Sequence, residues 1–133
     1  MNATIESYMA TELVTFSPDD DIIVAVRVLL ERHFSGAPVV DKHGGLLGIL
    51  SQKDCMRTVY DTAYHQEIGG KVEQYMHRDA ECLDADFSIF DAADRFLHSN
   101  YRRFPVLRAG KLVGQISRHD IMRAIDEIYL RKP

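Results

Sequence analysis

Two apolar periodicities alternate along this chain, and the alternation occurs twice. Ile22, Ile23, Val26, Leu29 and Leu30 recur three and four residues apart, which predicts a helix with one buried face ending near His33. Ser17 and Pro18, followed by Asp19, Asp20 and Asp21, read as its start, with Ser17 at the cap. A brief strand over 13–16 precedes it, and a short helical lead-in over 4–9 precedes the strand. After the helix come two short apolar runs, one at Val39 and Val40 and one over 46–50, separated by Lys42, His43, Gly44 and Gly45. They predict a β-hairpin. Ser51 ends the hairpin and caps a second helix reaching about Tyr64.

Residues 65–70 read as a linker punctuated by Gly69 and Gly70, and the same order then returns. Tyr75 and Met76 echo a lead-in holding Tyr8 and Met9, and 80–83 is the brief strand. Asp84 or Asp86 caps a helix bearing Ile89, Ala92, Ala93, Phe96 and Leu97. Residues 104–107 and 111–116 form a hairpin turning at Ala109 and Gly110, and the last helix runs over 117–130. An offset of 67 pairs Asp19 with Asp86, Ile22 with Ile89, Ala25 with Ala92, Leu30 with Leu97, and Pro38-Val39 with Pro105-Val106. After the shorter second hairpin turn an offset of 66 pairs Gly48 with Gly114, Ser51 with Ser117, Asp54 with Asp120, and Met56-Arg57 with Met122-Arg123. The expected architecture is therefore mixed α/β: two pseudo-symmetric β-α-β-β-α repeats, 1–66 and 67–133. A unit of about 60 residues hides too little apolar surface to be secure alone. The two repeats are expected to pack face to face as one domain.

The candidate chemistry lies at the hairpin-to-helix junctions, where Gly-x-x-Ser-x-x-Asp occurs as Gly48, Ser51, Asp54 and again as Gly114, Ser117, Asp120. Glycine within a strand admits a close backbone or ligand. Serine at a helix start offers a hydroxyl and lies beside exposed N–H groups that favour an anion. Aspartate in the first turn can accept two hydrogen bonds, as from a ribose diol. The same residues also make a plain helix cap. The two roles are compatible.

Composition narrows the function. The chain has 133 residues, 46% of them hydrophobic and 27% charged, which suits one soluble domain. A net charge of −4 argues against general polyanion binding, and no nucleic-acid partner is expected. Cys55 and Cys82 have no partner at zinc spacing and read as thiols of a reducing compartment. No metal site is expected, and Asp19, Asp20 and Asp21 read as helix-start acids. No run approaches a membrane span and no signal peptide is evident, so a cytoplasmic location without membrane attachment is expected. No nucleophile has a base at meaningful spacing and no P-loop is present, so an enzyme is not expected.

The ordered set resembles the tandem cystathionine-β-synthase (CBS) domain pair over nearly the whole chain. Its carriers are 14–18, Ala37-Pro38 with Val39, Val40 and Asp41, and 48–54 in the first repeat. In the second they are Arg102, Arg103, Phe104, Pro105 and Val106, and 114–120. The resemblance implies two clefts between the repeats, no required cofactor, and an adenosine-bearing ligand: AMP, ADP, ATP or S-adenosylmethionine. It further implies a stand-alone regulatory module that forms a homodimer and signals to a protein partner.

By the same resemblance, one cleft would use Asp120 and Ser117 with Thr15 and the backbone of Ala37 and Pro38. Arg102 or Arg103, with Arg118, would neutralise phosphate, although the Arg pair also reads as solvated charge. The mirror cleft would use Asp54 and Ser51 with Cys82 and the backbone of Phe104 and Pro105. It departs from the pattern: Cys82 replaces Thr15, Phe104 is bulkier than Ala37, and Ser35-Gly36 replaces the Arg pair. The Asp120 cleft is the expected phosphate-bearing site, with the other empty or taking something smaller. A ligand-independent dimerisation or interaction module is the alternative.

Overall fold

The computed structural model describes residues 3–65 and 69–131. Part of the expected linker, residues 66–68, lies outside them. The chain divides into two compact units, Val14–Ala80 on one hand and Met1–Leu13 with Glu81–Pro133 on the other.

The Val14–Ala80 unit holds α1 (Ile22–Arg32), β1 (Gly36–Val40), β2 (Leu46–Ser51) and α2 (Gln52–His65). The hairpin forms as expected, β1 antiparallel to β2. The expected strand at 13–16 shrinks to one bridge, Phe16 running parallel to Val39. Phe16 donates its N–H to the Pro38 carbonyl at 2.9 Å and accepts from Val40 N–H at 2.9 Å. The helix start also differs. Asp21, not Ser17, caps α1, its carboxylate accepting Ile23 N–H at 2.8 Å. Ser17 and Asp20 instead close a separate turn. The reason is long-range: a 3-10 turn at Val72–Gln74 docks there, with Glu73 N–H on Pro18 O, Val72 N–H on Asp20 O, and Ile22 N–H on Gly70 O. The helix ends where expected, at His33 in the left-handed region (φ 56°).

The other unit holds a 3-10 turn at Ile5–Ser7, β3 (Leu83–Asp84), α3 (Ile89–Leu97), β4 (Arg103–Arg108), β5 (Lys111–Ser117) and α4 (Arg118–Ile125). A π-helical turn, Asp126–Leu130, continues α4. Its sheet has the order β3-β4-β5, parallel then antiparallel. Neither Asp84 nor Asp86 caps α3. Ser88 does, accepting Asp91 N–H at 3.0 Å, while Asp84 accepts Asp86 N–H within the preceding turn. The Ser88 segment is held in extended conformation, and the residue beyond it bonds the lead-in, Ile89 N–H to Ala3 O.

Each lead-in thus lies in the unit built from the other repeat's strands and helices. In both it crosses the second hairpin strand: Ala10 bridges Gln115, and His77 bridges Ile49. This crossing accounts for the repeated glycines. A Cβ at Gly114 would lie 2.6 Å from Met9 Sδ and 2.8 Å from the Ala10 carbonyl, and one at Gly48 would meet the His77 carbonyl. At both positions a backbone carbonyl is among the close neighbours.

Two matched cores result. One gathers Phe16, Ile22, Ala25, Leu29, Val39 and Leu50 with Val72, Tyr75 and Met76 from the lead-in. The other gathers Leu83, Ile89, Ala92, Phe96, Phe104, Val106 and Ile116 with Ile5.

Candidate functional site

Both hairpin-to-helix junctions form as capped starts. Ser117 Oγ accepts Asp120 N–H at 3.1 Å, and the Asp120 carboxylate accepts Ser117 N–H at 2.9 Å. Ser51 and Asp54 repeat this exchange at 3.1 and 2.8 Å. Each reciprocal pair satisfies two backbone donors and fixes its carboxylate at the mouth of the helix. Both remain part-exposed, 16% for the Asp120 side chain and 19% for Asp54.

The two carboxylates differ in what else they hold. Asp54 Oδ2 also accepts the Ser51 hydroxyl at 2.8 Å and His77 Nδ1–H at 2.8 Å. Among the described residues Asp120 Oδ2 has only Ser117, and its Oδ1 faces Arg123 at 3.4 Å. Arg123 is itself committed to the lead-in, donating to Tyr8 O at 3.0 Å and lying over the Tyr8 ring. Arg57 does the same over Tyr75. The matched arginines, Arg57 and Arg123, are therefore structural fasteners.

Of the expected residues, the unit containing Glu81–Pro133 brings together Asp120, Ser117, Arg118, Arg102 and Arg103. Arg103 stands opposite Ser117 in the β4–β5 register, and Arg118 N–H bonds Arg102 O at 3.1 Å. Arg102 and Arg103 are exposed and make no side-chain hydrogen bond or ion pair among the described residues. Arg118 is less available: its Nε donates to Tyr101 O at 2.9 Å. Cys82, Phe104 and Pro105 fall in this unit too. Phe104 is fully buried against Phe96 and Tyr101, so its bulk fills the core, not the surface beside the backbone. Burial pushes the Cys82 thiol up, opposed by Arg95 and aided by Glu81.

The Val14–Ala80 unit brings together Asp54, Ser51, Thr15, Ala37 and Pro38. Thr15 is exposed next to Phe16, which zips onto Pro38, while Ala37 and Pro38 are buried. Cys55, beside Asp54, is buried, and burial first and the Asp54 charge second raise its thiol pKa. His77 was not among the residues the sequence singled out. It is the repeat partner of Ala10 and comes from a lead-in 23 residues beyond Asp54.

Among the described residues no group of His, Cys, Asp and Glu side chains is placed to hold a metal. No described helix is long and apolar enough to cross a membrane. A groove of about 460 Å³ lies between α3 and α4, lined by Phe96, Leu97, Arg118, Ile121, Met122 and Ile125.

A twice-repeated strand, helix, hairpin and capped helix, with an aspartate in each cap, defines a tandem α/β repeat protein. The chain belongs to the CBS domain family, which matches it at residues 5–61 and 72–127. It is 25% identical over 125 residues to the uncharacterized protein MJ1225 of Methanocaldococcus jannaschii, covering 94% of this chain but only 44% of that relative's length. Among solved structures it is similar to CBSX2 in complex with AMP, with a TM-score of 0.82, 27% identity, and 95% and 98% of the two chains covered. CBSX2 is a CBS-pair protein from Arabidopsis thaliana. The CBS pair of protein MJ0100, in complex with 5′-methylthioadenosine and S-adenosyl-L-methionine, shares the fold with a TM-score of 0.73 at 21% identity, over 96% and 98% of the chains.

Proposed function

We propose that this chain is a non-enzymatic regulatory module that binds an adenosine-bearing metabolite, with the ribose diol on Asp120. The observation that carries the reading is the state of the Asp120 cap. Its carboxylate is fixed by Ser117 yet retains acceptor capacity, and two exposed arginines without side-chain partners among the described residues stand at the start of the adjoining strand. A helix start beside free guanidinium groups suits a phosphate. The bound AMP of CBSX2, a relative at 27% identity, supports the adenylate class. AMP, ADP, ATP and S-adenosylmethionine share the adenine and ribose and differ at the end the arginines would meet. Arg118, already tethered to Tyr101, would play a lesser part. Asp54 and Ser51 would serve a second, weaker site. Regulation follows when a ligand binds one arrangement of the protein better than another and a partner reads the difference.

Thermal melts with each of the four ligands test this. Ligand at one hundred times its dissociation constant adds about 2.7 kcal/mol, several degrees for a domain of this size. The shift should vanish in Asp120→Ala. A shift lost only in Asp54→Ala would reverse the assignment.

The apolar groove between α3 and α4 favours a second reading, association without ligand. Leu97 is 82% exposed and Met122 69% exposed along it. A second copy of the chain is the proposed occupant, and Leu97→Glu should weaken self-association in analytical ultracentrifugation. If ligand never shifts the melt while self-association persists, the interaction module is the better description.

A further inference from the structure

The two junctions have the same backbone and the same Ser-x-x-Asp exchange, yet one carboxylate is more occupied than the other. A carboxylate has about four acceptor positions, two on each oxygen. Asp54 Oδ2 already takes three donors at 2.8 Å: Ser51 N–H, Ser51 O–H and His77 Nδ1–H. An ionised carboxylate only accepts, so His77 must carry its proton on Nδ1 toward it. A vicinal diol grips a carboxylate best with one hydroxyl on each oxygen. That is open at Asp120, where Oδ2 holds one donor and Oδ1 only a long contact to Arg123. At Asp54 Oδ2 is full.

Two donors make the difference, Ser51 O–H and His77 Nδ1–H; the Ser51 hydroxyl can rotate and yield its position, so the fixed one is His77. His77 occupies the repeat position of Ala10, and both residues bridge the hairpin strand by backbone alone, to Ile49 and Gln115. The same backbone therefore carries an imidazole in one unit and a methyl in the other. We infer that His77 is the specificity-determining residue that closes the Asp54 carboxylate to a diol and makes Asp120 the first site to fill. The inference rests on the diol-binding reading above and adds a residue that reading does not contain.

The test is calorimetric titration with AMP and with S-adenosylmethionine on wild type, D54A, D120A, H77A, H77N and the double variants H77A/D120A and D54A/D120A. Wild type should bind one equivalent tightly, lost in D120A and kept in D54A. H77A should gain a second equivalent, and H77A/D120A should recover binding that D120A lacks. The gain at Asp54 should be about tenfold, or 1.4 kcal/mol. Asparagine presents an amide N–H near the position of Nδ1, so H77N should behave as wild type. The alanine of the matched position shows that this backbone accepts a methyl there, and a melt without ligand checks folding. Three results overturn the inference while leaving diol binding intact: H77A titrating as wild type, H77N titrating as H77A, or wild-type binding lost in D54A and kept in D120A. Binding of neither probe to wild type, or binding that survives loss of both aspartates, overturns the diol reading itself and this inference with it.

Discussion

A methyl group at position 114 has no room. Its Cβ would press on the Ala10 carbonyl, which is fixed by a two-way backbone bridge to Gln115 and cannot move aside as a flexible side chain could. Gly114→Ala should cost about 1–3 kcal/mol as overpacking and lower the melting temperature by several degrees in a scanning calorimeter. The thiols behave differently from free cysteine. Burial pushes Cys82 up, more than Arg95 pulls it down, so its thiolate fraction is below that of a free thiol through neutral pH. Alkylation of Cys82 by iodoacetamide should be slower than that of a cysteine peptide at pH 7 to 8, and the gap should close as pH rises. The folded chain holds both thiol protons more tightly than the unfolded chain does. The thiol contribution to stability is therefore whole below the ordinary thiol range and falls as pH rises through it.

At the scale of elements, the caps decide where the helices begin. Ser88→Ala should destabilise by about 1 kcal/mol through loss of its bond to Asp91 N–H. Asp86→Ala, an exposed side chain that caps nothing, should stay within about 0.5 kcal/mol in urea titrations. The hairpins, the four helices and their repeat were legible in the sequence because each rests on spacing within a few residues. The starts of α1 and α3 were not. Ser17 with Pro18 has every local mark of a helix start, but docking of Val72–Gln74 takes the Pro18 and Asp20 carbonyls and delays the helix to Ile22. The same limit applies to the site. Ser51, Asp54, Ser117 and Asp120 stand out because their pattern is local. His77 does not, since it reaches Asp54 from a segment that sequence periodicity treats as a separate lead-in. The partners Tyr75–Asp61 and Tyr8–Glu127 share one repeat register, yet were hidden by the exchange of Asp for Glu.

At the scale of the molecule, the exchange of lead-ins makes each core depend on a distant segment. Ile5 is fully buried among Leu83, Ile89 and Phe104. Ile5→Ala should cost about 2–5 kcal/mol, and hydrogen exchange should locate the loss in 81–131 while amides of 14–80 keep more of their protection. Val72→Ala should give the opposite pattern, because Val72 belongs to the other core. Equal loss of protection across the whole chain in both variants would show that the units open together.

The same nesting has a bearing on biosynthesis. Residues 14–80 leave the ribosome as a finished set, able to close their core as soon as the second lead-in emerges. Residues 3–13 are made before 14–80 but find their partners after them, since β3, α3, β5 and α4 are all still to be translated. At about 5–20 residues per second, Ile5 and Met9 remain without their core for on the order of 10 s. Residues 3–13 are thus sheltered later than the segment that follows them, and a nascent-chain chaperone would find an apolar target at Ile5 and Met9.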